Sequence, residues 1–210
     1  MMIVRTLTVN DFQENTFLVG DSDSGSAFVV DPGGGTDALL AMAEEDGLRI
    51  ECILNTHGHI DHVMGAAELQ ERLDIPFRLH EGDRFLVESL PQICALYGLP
   101  ELAPPRVDEP LGDGEIVKVG GLEVRVIHTP GHSPGGCCLL VQGHLFAGDT
   151  LFAGSIGRTD LPGGDHATLM RSIRERIIDA LPPATRLHSG HGPDSSLVEE
   201  AASNPFLRGI

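Results

Sequence analysis

Residues 56–65 read "THGHIDHVMG", which crowds His57, His59, Asp61 and His62 into six consecutive positions. A zinc ion usually takes four ligands, and a catalytic one keeps a position open. In an extended segment, residues two apart point to the same side, so His57 and His59 suit one ion. Asp61 and His62 fall on a different side as the chain turns into a helix. The crowding points to two ions rather than one, and two ions need donors from elsewhere in the chain.

The flanking pattern sets this segment between a strand and a helix. Residues 50–54 form a β-like run that delivers the chain into the motif, and residues 63–73 show helical periodicity. Upstream, residues 3–9, 16–19 and 27–30 read as strands, the last ending at "DPGGG". Residues 37–45 then space Leu39, Leu40 and Ala43 as a helix does. Downstream, residues 76–79 read as a short strand, and residues 116–119, 122–127, 138–141 and 145–147 as strands joined by Gly-containing turns. A helix fits residues 168–179, with Asp165 as its cap. Residues 81–106, which include "GLPELAPPR", read as a loop or lid. This order predicts an α+β or layered α/β class in one domain spanning residues 1–210.

Composition narrows the function. Apolar residues make up 41% of the chain and no apolar run approaches the roughly 20 residues that span a bilayer, so no membrane association is expected. The N-terminus lacks a charged region followed by an apolar one, so no secretory signal is visible and a cytoplasmic location is expected. A net charge of −17 argues against nucleic acid as a partner, because phosphate contacts need clustered Lys and Arg. Cys52, Cys94, Cys137 and Cys138 have no CxxC spacing and sit among apolar neighbours, which predicts buried free thiols. Nothing in the sequence fixes an oligomeric state.

Further donors lie just after other strands, where loops converge and sites gather. "HTPGHSPGG" holds His132 after the strand at 122–127, "LFAGDTLF" holds Asp149 directly after 145–147, and "LHSGHGP" holds His191 after a short apolar start at 186–188. An aspartate is the natural bridging ligand, since each oxygen can take one metal. Asp61 and Asp149 are the candidate catalytic carboxylates. His80, His144 and His166 are assigned no role, whereas His128 and His188 adjoin the donor loops and are candidates to orient ligands.

Together "THGHIDH", "GHSPGG", "GDTLF" and "SGHGP" resemble the metallo-β-lactamase fold superfamily. Within it, "GDTLFAGSIGRTDLPGGD" and the final "NPFL" resemble the compact glyoxalase II-like hydrolases, and the similarity extends back to "VVDPGG" and "QENTFLVG". The resemblance implies an αββα sandwich with metals at one edge. It implies His57, His59 and His132 on a first metal, Asp61, His62 and His191 on a second, and Asp149 between them. Asp31 matches a position that supports the loops. Zinc is the expected ion, with iron or manganese also suited to a mixed His/Asp site.

Two metals sharing a water lower its pKa toward neutrality and polarise a carbonyl, which makes metal-assisted hydrolysis the expected reaction. The resemblance narrows it to thioester hydrolysis by a bridging hydroxide, on S-lactoylglutathione or a related acyl-thiol as the small-molecule partner. Arg158 in "GSIGRTD" matches a basic position that contacts glutathione; its alternative is an ion pair with Asp160. Two departures bear on the substrate. The chain ends at Ile210, too soon for the helical domain that larger glyoxalase II enzymes add, and Gly136 stands where many relatives have histidine. The rival is a persulfide dioxygenase of the same fold, with one iron held by His57, His132 and Asp149. A nuclease, a flavin-partner module and a β-lactamase are weaker readings of the fold.

Overall fold

In "ENTFLVGD" and "SAFVV" apolar side chains occupy successive positions, the pattern of strands buried on both faces. The computed structural model describes residues 1–208, so the last two residues of the expected 1–210 domain lie outside the described residues. Its first sheet has the order β1 (Met2–Val9), β2 (Glu14–Asp21), β3 (Ser26–Val30), β4 (Arg49–Leu54), β5 (Phe77–Arg78). β1, β2 and β3 pair antiparallel, and β3, β4 and β5 pair parallel.

The second sheet comprises β6 (Ile116–Val119), β7 (Leu122–His128), β8 (Cys137–Val141) and β9 (His144–Gly148) as an antiparallel meander. A small hairpin of β10 (Leu151–Phe152) and β11 (Ser155–Ile156) follows. β12 (Arg186–Ser189) then joins β9 in parallel, and β13 (Ser195–Ser196) closes the edge.

Alternate side chains of β2 and β3 serve two different cores. Phe17, Val19, Phe28 and Val30 face the second sheet and meet Val124, Val126, Leu139 and Phe146. Leu18, Ala27 and Val29 face outward beneath α1 (Thr36–Glu45) and α3 (Ala66–Leu73), where Leu39, Ala43, Ala66 and Leu69 cover them. On the far side, Ile127, Cys138 and Leu145 pack under α6 (His166–Ser172) and α7 (Leu197–Ser203). The result is the expected αββα sandwich.

Three local differences from the sequence reading have physical reasons. The single helix expected over 63–73 is two, α2 (Ile60–Val63) and α3, broken at Gly65. There the backbone presses on "DPGGG": a Cβ on Gly65 would lie 3.0 Å from Gly34 and Pro32 backbone atoms. Residues 81–106 are not all loop, because a 3₁₀ turn (Glu81–Asp83), α4 (Arg84–Glu88) and α5 (Leu90–Tyr97) bury Leu86, Val87, Leu90 and Cys94. The helix at 168–179 starts earlier, capped as expected by Asp165, and widens into π-helical turns over Ile173–Ile178. All four cysteines are buried free thiols.

Candidate metal centre

The donor loops emerge where the two sheets meet. Beyond β4, Asn55 bends the chain by donating its amide to the carbonyls of His57 (2.9 Å) and His62 (3.2 Å). Thr56 donates its N–H and Oγ1–H to the Asp31 carboxylate at 2.7 and 2.5 Å. Asp31 adopts a φ of 50°, which brings its carboxylate back over the end of β4. From the other sheet, β9 ends at Gly148 with a φ of 48°, where a Cβ would lie 2.1 Å from Thr56 Oγ1. Only glycine lets the two strand ends approach this closely.

All seven predicted donors converge there. His59 Nδ1 and His57 Nε2 both face His132 Nε2, at 2.8 and 3.3 Å. Asp61 Oδ2 lies 3.2 Å from His191 Nε2 and 3.6 Å from His62 Nε2. Within each triad the donor atoms all lie within 4.8 Å of one another. Asp149 stands between the triads: its Oδ2 is 3.6 Å from His132 Nε2, and its Oδ1 is 3.3 Å from His62 Nε2 and 3.6 Å from His191 Nε2.

The outer nitrogens explain why the inner ones present lone pairs. His132 Nδ1 donates to the Arg158 carbonyl at 2.7 Å, and His191 Nδ1 to the Phe12 carbonyl at 3.1 Å. His62 Nδ1 donates to Asp31 Oδ2 at 3.0 Å. Since Thr56 Oγ1 already donates to Asp31, it accepts from His57 Nδ1 at 3.1 Å. Asp31 thus orients one imidazole of each triad, directly or through one hydroxyl. Although Asp31 also lies close to His57 and His62, both its oxygens are occupied by these donors.

The electrostatics separate the triads. Burial, with the neighbouring His62, pushes His57 well below its ordinary value, and burial with His132 takes His59 down to about 4. Burial opposes charge on His62, but the Asp61 and Asp149 carboxylates outweigh it and raise the imidazole. The same contest raises His191 through Asp61 and Asp149. In Asp149 the facing His62 and His132 overcome burial and keep the carboxyl below its usual range.

The residues fit metal ions. His59 Nε2, His62 Nε2 and Asp149 Oδ1 are buried without a hydrogen-bond partner, a cost that a bound cation removes at the last two. Gly190 keeps the cradle open, since a Cβ there would come within 2.5 Å of Asp149 Oδ1 and 2.6 Å of His62 Cε1. Mixed imidazole and carboxylate donors suit zinc, iron or manganese.

Outside the triads, a cleft of about 580 Å³ opens onto His59, Asp61, His132, Asp149 and His191. Its walls are Phe12, Leu86, Ile93, Leu96, Tyr97, Phe152, Ile156, Leu161 and Pro162, with Arg158 at the edge. The Arg158 guanidinium grips Asp160 with two bonds of 2.7 Å.

Neither His128 nor His188 bonds a donor imidazole, although His128 Nε2 donates to the Pro134 carbonyl at 2.9 Å and so ties into the loop that carries His132. His128 stacks on His80 with ring centroids 4.1 Å apart, and His188 bonds His144 at 2.8 Å and Asp194 at 3.0 Å. Two further buried acids lie beside the donors, and neither stood out in the sequence. Asp83 accepts from Gly58 N–H (3.0 Å), Ser133 Oγ–H (2.6 Å) and Gly135 N–H (2.6 Å), tying the first donor loop to the His132 loop. Glu14 lies 3.7 Å from His62 Nδ1, and burial pushes its carboxyl up to about 9. Before a hydrophobic strand, "ENTF" gives no hint that its acid points inward.

Residues 9–191 match the Metallo-beta-lactamase superfamily. Over 210 residues the chain is 37% identical to hydroxyacylglutathione hydrolase GloC of Haemophilus influenzae, covering 98% of each chain. It superposes on the BLEG-1 B3 metallo-beta-lactamase with a TM-score of 0.91 at 36% identity, over 99% of this chain and 100% of that one. On TTHA1623, solved in a di-iron-bound form, the TM-score is 0.86 at 40% identity, over 97% and 100% of the two chains.

Proposed function

Because the chain belongs to the metallo-beta-lactamase superfamily of metallo-hydrolases, we propose that it is a two-metal thioesterase acting on acyl-thiols, built as one domain over residues 1–210. The observation that carries this reading is the divided carboxylate of Asp149, one oxygen turned to each triad. His57, His59 and His132 would hold one ion, Asp61, His62 and His191 the other, and Asp149 both. Bound there, two divalent ions supply a water acidified toward neutral pH and a Lewis-acid contact for an acyl oxygen. Zinc is the ion we assign; the di-iron form of TTHA1623 keeps iron as the alternative.

The chain's own residues favour a thioester over an amide. Every ionisable side chain facing the cleft belongs to the donor set except Tyr97 and Arg158, and Arg158 is paired with Asp160. Among the described residues, no carboxylic acid outside the donor set faces the cleft to protonate a leaving group, and Tyr97 is the one phenol there. A thiol has a pKa of about 8.5 and departs as an anion near neutral pH, whereas an amine needs a proton. Asp61 and Asp149 are held ionised by His62 and the other imidazoles despite burial, so they orient and carry charge rather than donate protons. S-Lactoylglutathione is the first substrate to test, given the similarity to GloC.

The rival one-iron persulfide dioxygenase would use His57, His132 and Asp149 and leave the Asp61, His62 and His191 triad idle. Metal analysis of anaerobically purified protein, with lactoylglutathione hydrolysis and persulfide-dependent oxygen uptake assayed in parallel, separates the two. We expect close to two ions per chain, hydrolysis, and no oxygen uptake. Asp149→Ala abolishes activity, and His62→Ala lowers hydrolysis by more than about a hundredfold. One iron per chain with oxygen consumption would sink the hydrolase.

A further inference from the structure

Among the described residues, the cleft offers no unpaired cation where a glutathione thioester would need one. Glutathione carries two carboxylates and one ammonium, and carboxylates call for free cationic forks. Among the described residues, Arg158 is the single Lys or Arg lining the cleft, and both its bonds of 2.7 Å go to Asp160. The chain as a whole carries a net charge of −17, which repels anions further.

In place of charge the cleft offers an apolar wall. One turn of α5 presents Ile93, Leu96 and Tyr97, α4 adds Leu86, and Phe12 and Phe152 face them. Leu96 is 81% exposed, Tyr97 57% and Phe12 42%, far more than packing within the fold requires of large apolar side chains. The wall is continuous with His59, Asp61 and His191, so whatever reaches the donor atoms through the cleft passes along these side chains. A substrate is the occupant that this continuity selects.

We propose that the apolar wall of α4, α5, Phe12 and Phe152 is a substrate-binding surface, and that the favoured substrates are uncharged thioesters bearing an alkyl or aryl group rather than glutathione thioesters. This rests on the thioesterase reading of the metal centre and names the substrate class that the cleft selects. The hydrolysis itself stays balanced in the usual way: water cleaves the acyl C–S bond, giving a carboxylic acid and a thiol.

The test uses the metal-loaded protein and three thioesters: S-lactoylglutathione, S-hexanoyl-N-acetylcysteamine and the lactoyl thioester of hexanethiol. A buried methylene contributes about fourfold, so kcat/KM for at least one hexyl substrate exceeds that for lactoylglutathione by about tenfold or more. The better of the two tells which side of the thioester meets the wall. Leu96→Ala and Tyr97→Ala each lower that ratio about threefold or more. A ratio at or below one overturns the proposal. Binding of the non-hydrolysable S-hexyl-N-acetylcysteamine, followed by calorimetry, separates the two readings. If no thioester is hydrolysed yet this thioether binds and Leu96→Ala weakens it, the thioesterase fails and the apolar site stands. If Leu96→Ala instead turns a dimer into a monomer with the ratio unmoved, the wall is an interface between copies and the proposal is wrong.

Discussion

Asp83 makes three hydrogen bonds from a fully buried position and spans the loops of Gly58 and Ser133, which lie 75 residues apart in sequence. Removing a buried acceptor strands its donors, which costs more than the bonds gain. Asp83→Ala should therefore destabilise the protein by about 3 kcal/mol, measured by urea unfolding of the metal-free form. It should also loosen the His59 and His132 pair, read as metal content below two ions per chain after gel filtration. Unchanged stability would mean that the clamp is idle. The donors themselves were legible because His57, His59, Asp61 and His62 crowd into six positions and the rest sit in Gly-containing loops at strand ends. Asp83 and Glu14 were not, because a carboxylate looks the same in sequence whether it faces solvent or a neighbouring loop. Only the fold brings Gly58, Ser133 and Gly135 around one acid.

Among the elements, α6 gives the plainest link from sequence to stability. Asp165 sits in an extended conformation and accepts from the Thr168 N–H at 2.7 Å, so one orphan donor of the first turn is satisfied. Asp165→Ala should cost about 1 kcal/mol, with the loss seen as a lower urea midpoint at constant slope. Strands supply a second expectation. Burial pushes the Cys52 thiol on β4 up to about 12 and the Cys138 thiol on β8 up to about 11, and raises Cys137 well above its ordinary value. The thiolate is the reactive form, so at pH 8 native protein should leave Ellman's reagent uncoloured for minutes, and all four thiols should react after guanidinium unfolding. Rapid labelling of the native protein would refute this. Long elements were readable by period, whereas the hairpin at 151–156 and the helical turns at 81–97 were not. Short pieces carry too few residues to display a period, and their structure comes from what they pack against.

At the scale of the molecule, the two sheets are fastened at the edge away from the donors as well as at the centre. Asp21, at the end of β2, accepts from Gly121 N–H in the β6–β7 turn at 2.9 Å, from Ser24 Oγ–H at 2.8 Å and from Asp23 N–H at 3.2 Å. These donors hold its carboxyl well below the usual carboxylate range. A carboxyl depressed in the folded state contributes stability that is fully present above its unfolded value of about 3.9 and is lost as pH falls toward the folded value. The stability gap between wild type and Asp21→Asn should thus be constant above about pH 5 and shrink steadily below pH 4. A gap that widens on acidification would contradict the assignment.

The seven donors come from both sheets: His57, His59, Asp61 and His62 follow β4, His132 follows β7, Asp149 follows β9, and His191 follows β12. Neither triad is complete within one half of the chain. On a ribosome the histidine-rich segment near residue 60 emerges early, with nothing to close it. The triad of His57, His59 and His132 is complete only when residue 132 is out, Asp149 joins it later, and the second triad waits for residue 191. On the proposed ligand assignment, a truncated product ending before residue 191 would hold the donors of one site but never of both.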